Sequence, residues 1–196
     1  KPYQSLFTNV DEYIGLDYDG EGHDHQNEAV DVYYDGKTIP FENESFDSVF
    51  TSEVFEHVFG LQEILPEINR VMKPGSQILL TCPFAWEEHE MPIDYARYTQ
   101  FALKDMLEKN GFNLVLIDKN GHFMSALHQL FVLYIHDHWM HQVPVLSKFN
   151  LFKKLVRQIG IPLMNMGFSL VEYFWPKSDR FYLNTIAIAE KMAKPN

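Results

Sequence analysis

The chain has 196 residues, 46% hydrophobic and 15% aromatic, which is enough apolar material for one domain with a core and excludes a disordered polymer. A net charge of −11 at pH 7 excludes nucleic acid as the main partner, because such binding rests on Lys and Arg neutralising phosphates. A single cysteine, Cys82, excludes an internal disulfide; with no charged-then-apolar leader in the first residues and no apolar run of the roughly 20 residues a bilayer requires, the expected location is the cytoplasm.

In chain order, Tyr13-Ile14-Gly15-Leu16 predicts a buried strand stopping at Asp17, followed by a polar loop over 19–29. Ala29-Val30-Asp31-Val32 predicts a second strand and Phe46–Thr51 a third. Ile64, Leu65, Ile68, Val71 and Met72 recur at spacings of three and four, a helical pattern, and Lys73-Pro74-Gly75 is expected to end it. Gln77–Thr81 predicts a strand stopped by Pro83. Residues 99–110 predict a helix with Thr99 as N-cap and Asn110-Gly111 as its stop, and Phe112–Ile117 another strand. Tyr182–Ala189 predicts the last strand. Strands alternating with helices imply βαβ units and a mostly parallel sheet.

Residues 122–176 break this rhythm with a helical pattern rich in Phe, Leu, Met, Trp and His. Phe123, Leu127, Leu130 and Tyr134 share one face. Phe149, Phe152, Val156, Ile159 and Leu163 form a stripe opposite Lys153, Lys154 and Arg157. Three regions follow: a core over 1–121, a helical cap inserted over 122–176, and a last core strand and tail over 177–196. Residues 1–118 hold 23 acidic and 7 basic residues, and residues 119–196 hold 4 and 9, so the two parts are expected to face different surroundings.

From Tyr13 to Phe112 an ordered set of landmarks resembles the class I S-adenosylmethionine-dependent methyltransferases. "YIGLD" (13–17) resembles that family's second strand, and "VDVYYDGKTIPFENESFDSVFTSEVFEHV" (30–58) the stretch leading to its fourth. "LPEINRVMKPGSQILLTCPF" (65–84) resembles the following helix, turn and fifth strand. "HEMPIDYARYT" (89–99) with "LEKNGF" (107–112) resembles the substrate-side loop and next helix of one subset. The resemblance implies a Rossmann-like, doubly wound, mostly parallel α/β sheet with a helical cap before the last strand. It also implies S-adenosylmethionine as cofactor. The family's glycine-rich D-x-G-x-G loop would precede Lys1, and the sequence opens without it.

The resemblance implies roles for particular residues. Asp17, with Tyr18 beside it, would bind the cofactor ribose; the alternative is an ordinary loop-starting acid. Asp31 and the Val32 backbone would meet the adenine; the alternative is a solvated strand-end acid. Ser52 and Glu53 would contact cofactor or substrate, unless Glu53 only complements a helix dipole. His57 and His89 are candidate general bases, since an unperturbed imidazole titrates near neutrality. Arg97 would clamp an anionic group and Asp94 would orient either neighbour, or the two simply pair with each other. His23 and His25, and His136, His138 and His141, lack the spacing of strong zinc patterns, so no metal is expected.

Methyl transfer is an in-line displacement at a carbon activated by sulfonium charge, so the protein mainly supplies proximity, alignment and desolvation. The expected acceptor is a small molecule or a glycan-like group. Three readings compete: such an enzyme, a degenerate methyltransferase fold serving as a scaffold, and a dinucleotide-dependent Rossmann-like enzyme. The segment 38–58 speaks against the third. For the cap, a substrate lid or homodimer surface competes with peripheral docking on a membrane, which an apolar stripe beside Lys and Arg would suit.

Overall fold

The computed structural model describes residues 1–20, 29–142 and 149–193, the side chain of His141 excepted. The architecture is α/β and Rossmann-like. Strands β1 (Leu16–Tyr18) and β2 (Val32–Tyr34) pair in parallel, Leu16 opposite Val32 and Tyr18 opposite Tyr34. A four-stranded sheet has the order β3-β4-β6-β5, with β3 at Phe46–Ser52, β4 at Met72–Pro83, β5 at Phe112–Asn120 and β6 at Asn184–Lys191.

Strands β3 and β4 are parallel. The last strand runs the other way. It begins where Leu183 N–H bonds Asn120 O (2.9 Å) at the end of β5, and leaves where Met192 N–H bonds Gly111 O (3.0 Å) at its start. At its two ends it likewise meets opposite ends of β4, through Phe84 N–H to Leu183 O and Lys191 Nζ to Met72 O. Strand β5 therefore runs with β3 and β4, and three of the four strands share one direction.

The helix α1 (Leu61–Val71) begins earlier than the periodicity alone marks and buries Leu61, Ile64, Leu65, Ile68 and Val71 on one face. The helix ends at Val71, before the Lys73-Pro74-Gly75 turn expected to stop it, and Met72 is already the first residue of β4, which carries that turn as a bulge. Phe46 opposes Met72 and Ser48 already opposes Gln77, with Gly75 at φ +77°. The helix α2 (Gln100–Lys109) starts as expected at Thr99, whose hydroxyl accepts from Ala102 N–H at 3.2 Å. Thr99→Ala is expected to lower stability by about 1 kcal/mol in a urea titration, the ordinary cost of a lost N-cap. Leu103 and Leu107 of α2 join Phe112, Ile78, Leu80, Ala187 and the α1 face in one core.

Two compact units divide the chain: residues 1–82, 87–117 and 186–196 in one, and 83–86 with 118–185 in the other. The second is largely helical. Its α3 (Phe123–Leu133) runs into a π-helical turn (Tyr134–Trp139) and the short Met140–Gln142 turn, and α4 (Asn150–Leu155) runs through another π turn into α5 (Ile161–Phe174). Within this unit α3 meets α5 where His128 stacks on Phe168, centroids 4.1 Å apart, and bonds Asn165. The expected apolar faces are only partly covered: Phe123, Leu127, Tyr134, Phe149, Ile159 and Leu163 are exposed, Leu130, Phe152 and Val156 are half-buried, and Ala126, off the first stripe, is fully buried. Among the described residues no helix is long and apolar enough to cross a membrane.

Two expected strands are displaced. The pairing begins at Leu16 and Val32 rather than at Tyr13 and Ala29. Gly15 carbonyl accepts from both Asp31 and Val32 N–H (3.0 and 3.1 Å), which ties the two segments together before the ladder starts. Asp17 thus lies in the middle of β1, and Asp31 precedes β2.

Candidate active site

In parallel α/β sheets, ligands bind beyond the carboxyl ends of the strands. At the carboxyl end of β2 stands Asp35, a residue the sequence reading passed over. Its carboxylate accepts from Lys37 and Thr38 N–H, both at 2.8 Å, and the Thr38 and Lys37 amides hold it below the usual carboxylate range. Gly36 follows at φ +77°, and a side chain there would meet the Tyr18 ring 2.8 Å away. Tyr18 lies edge-on to Tyr34, centroids 6.3 Å apart. Asp17 Oδ1 accepts from Tyr18 N–H at 2.7 Å.

Asp31 does not stand at that edge. It lies at the amino end of β2, where its carboxylate accepts from Gly15 N–H at 2.8 Å and pairs with Lys1. Those two contacts, the amide first, hold its pKa below the ordinary value. Val32 is the first residue of the ladder. The signal that separates Asp31 from Asp35 is the point at which pairing begins.

At the carboxyl end of β3, Ser52 Oγ and Thr81 Oγ1 of β4 lie 2.7 Å apart, and Thr81 Oγ1 donates to Glu53 Oε1 at 2.7 Å. Glu53 takes a left-handed backbone (φ +53°), pinned by its N–H bond to Thr81 O at 3.1 Å. A non-glycine residue in this region costs on the order of 1 kcal/mol, and such strain clusters at functional sites. The chain then makes a 3₁₀ turn (Phe55–His57) that buries Phe55 and Glu56 completely or nearly so.

The loop after β4 folds onto this turn. Tyr95 and Ala96 N–H both bond Glu56 O (2.8 and 3.2 Å), and Phe59 packs edge-on against Tyr95. That anchoring brings together all four residues expected to handle the acceptor. His57 Nε2 lies 3.1 Å from His89 Nε2, and the rings meet edge-to-face. Arg97 grips Asp94 with two bonds, Nη1 to Oδ1 at 2.5 Å and Nη2 to Oδ2 at 2.7 Å. Asp94 Oδ2 also accepts from His89 N–H at 2.9 Å. The Arg97 guanidinium holds Asp94 well below the usual carboxylate range.

Glu56 is the residue at this site that the sequence reading missed. It is fully buried and Oε1 has no hydrogen-bond partner. Cys82 Sγ lies 4.0 Å from Oε2. Burial pushes the Glu56 carboxyl up to about 7 and the Cys82 thiol well above its ordinary value. Cys82 is therefore an inert, buried thiol at the end of β4. Of the histidines considered for metal, His23 and His25 lie outside the described residues, and His136 pairs with the adjacent Asp137.

Residues 2–80 match the family model described as "Methyltransferase domain". This match covers Asp17, Tyr18, Asp35, Ser52, Glu53 and His57, and stops short of His89, Asp94 and Arg97. Over that stretch the sequence is similar to a methyltransferase domain, in line with the resemblance that the ordered landmarks carry. No curated protein matches. Among solved structures, the (4+2)-cyclase SpnF is 16% identical, with a TM-score of 0.48, over 83% of this chain and 56% of its own. Phosphoethanolamine N-methyltransferase 2 of Haemonchus contortus, in complex with S-adenosyl-L-methionine, is 18% identical (TM-score 0.43) over 82% of this chain and 36% of that one. A SAM-dependent methyltransferase of Methanosarcina mazei is 12% identical (TM-score 0.45) over 83% and 67%. The chain thus spans little more than half the length of the first of these.

Proposed function

We propose that the chain is an S-adenosylmethionine-dependent methyltransferase whose acceptor is a small molecule or a glycan-like group. The observation that carries this reading is the methyltransferase-domain match falling on parallel strands with acidic residues in or just beyond them. The residues fit the cofactor's needs. Asp17 in β1 and Asp35 at the end of β2 offer carboxylates for ribose hydroxyls and an adenine amino group, and Gly36 lets the backbone come close. Tyr18 offers a flat ring beside them, and Ser52 and Glu53 shape the end of β3. We place Asp35 in the adenine role for which the sequence suggested Asp31, because Asp31 is engaged at the opposite end of its strand.

The bound cofactor supplies a methyl group activated by sulfonium charge. The chain's own residues hold the acceptor in line and exclude water. Arg97 and Asp94 fix the loop and the His89 backbone, so their part is positioning. The paired His57 and His89 rings face the acceptor, and an imidazole Nε2 of the pair takes its proton as the new bond to carbon forms and the bond from that carbon to sulfur breaks. The exposed apolar residues of the helical unit, Leu151, Leu155, Ile159 and Leu163 beside Lys153 and Lys154, support contact with a membrane surface or a second copy.

The test is a calorimetric titration of the protein, with its natural flanking residues, by S-adenosylhomocysteine. Micromolar binding is expected, and Asp17→Ala is expected to weaken it about tenfold, near 1.4 kcal/mol. No binding by the folded protein would overturn the reading in favour of a scaffold domain.

A further inference from the structure

Glu56, His57 and His89 present three ligand atoms within 4.8 Å of one another, in the same unit and at the same loop junction. We propose that these three side chains form a site for a divalent transition metal of the zinc class, with one coordination position left open. The metal site stands on the cluster alone; that its open position takes the oxygen of a methyl acceptor rests on the methyltransferase reading.

The proton positions lead to it. His57 Nδ1 lies 2.9 Å from Ile93 O, and a carbonyl only accepts, so His57 Nδ1 carries its proton. His89 Nδ1 faces Glu87 O at 3.3 Å and Asp94 Oδ2 at 3.3 Å, again acceptors. Arg97 Nη2 is 3.4 Å from the same nitrogen, but its two hydrogens are directed at Asp94 Oδ2 (2.7 Å) and Glu87 O (2.8 Å). With the Nδ1 hydrogens so placed, the two Nε2 atoms face each other across 3.1 Å, and each offers its lone pair in that tautomer. Beside them, Glu56 Oε1 is buried without a hydrogen bond, 3.7 Å from His57 Nε2. Three electron-pair donors thus lie within 4.8 Å of one another.

A shared proton would bridge the two histidines but leave Glu56 Oε1 orphaned. A metal ion satisfies all three. Tetrahedral zinc with bonds of about 2.0–2.1 Å sets its ligand atoms roughly 3.3–3.4 Å apart, and the observed 3.1 and 3.7 Å bracket that separation. Two histidines and one glutamate are a known ligand set for zinc sites that keep an open position. Histidine ligands characteristically donate their other ring N–H to a carbonyl or carboxylate, the arrangement seen here for both rings. Glu90, half exposed with Oε2 3.8 Å from His57 Nε2, stands at the solvent side of the cluster.

The metal-stripped protein, with its natural flanking residues, is titrated with zinc chloride by calorimetry, and cobalt(II) uptake is followed by visible absorption. One metal per chain is expected, with tetrahedral cobalt bands. His89→Ala and Glu56→Gln should each weaken binding at least tenfold. His89→Ala removes a partly exposed ring and Glu56→Gln keeps the buried volume, and circular dichroism checks that both stay folded. No metal uptake by the folded wild type would overturn the proposal, as would uptake that neither substitution alters. S-adenosylhomocysteine binding is read on the same samples. Its loss with metal uptake intact would overturn the methyltransferase reading alone, and the converse would overturn only the metal site.

Discussion

Asp94→Ala is expected to cost about 3 kcal/mol of stability. The Asp94 side chain is 3% exposed, its two oxygens take both arms of Arg97, and one also holds the His89 amide. Removing one partner of a buried pair strands the other charge, a loss of about 3–5 kcal/mol, and Arg97, at 21% exposure, keeps some hydration and pulls the figure to the lower end. Arg97→Ala should cost a similar amount, and the double substitution much less than the sum, because the two side chains act as one unit. The pH dependence has a definite sign. Asp94's folded pKa lies below its unfolded value of about 3.9, so its stabilising contribution is complete above about pH 4 and is lost as pH falls below that toward the folded pKa. Asp94→Asn should lack this part of the acid transition. Urea unfolding from pH 7 to pH 2 checks both results; a loss under about 1 kcal/mol for Asp94→Ala would mean the pair behaves as a surface ion pair.

The largest effect on ligand binding is expected from Asp17→Ala with Asp35→Ala. Each carboxylate lies in or just beyond one strand of the β1–β2 pair, and each is expected to contribute about tenfold to S-adenosylhomocysteine affinity. If the two act on different parts of the ligand, their effects add, and the double variant binds about a hundredfold more weakly, near 2.7 kcal/mol. Asp31→Ala is the control. Its carboxylate is occupied by Gly15 N–H and Lys1 at the other end of β2, so its removal should leave affinity within about twofold. Calorimetry on these four variants and the wild type decides the matter. A tenfold loss from Asp31→Ala with none from Asp35→Ala would return the adenine role to Asp31.

Much of the core frame was legible. Phe46–Thr51 and Gln77–Thr81 are apolar-rich runs bounded by turn residues, and both are strands. Thr99 and Asn110-Gly111 carry their own local chemistry, capping and helix stop, so the ends of α2 could be read without knowing any neighbour. The β1–β2 pair was less legible because three-residue strands give almost no periodicity. Their limits come from where Gly15, Asp31 and Val32 exchange hydrogen bonds, contacts between segments about 16 residues apart. A shift of three residues in such a strand moves a different aspartate to the carboxyl end.

By itself the sequence determined the α/β alternation, the methyltransferase landmarks and the set of polar residues clustered after β3 and β4, since each is written in local apolar spacing, turn chemistry or an ordered motif. Only the tertiary structure decided which carboxylates stand where. It left much of the apolar faces of the helical unit exposed, exchanged Asp31 for Asp35 at the end of β2, and buried Glu56 beneath Tyr95 and Ala96. It also set His57 against His89, which are 32 residues apart in sequence. The physical reason is that burial and proton sharing are properties of surroundings: a glutamate on a short turn is solvated until a distant loop closes over it, and no spacing along the chain records that closure.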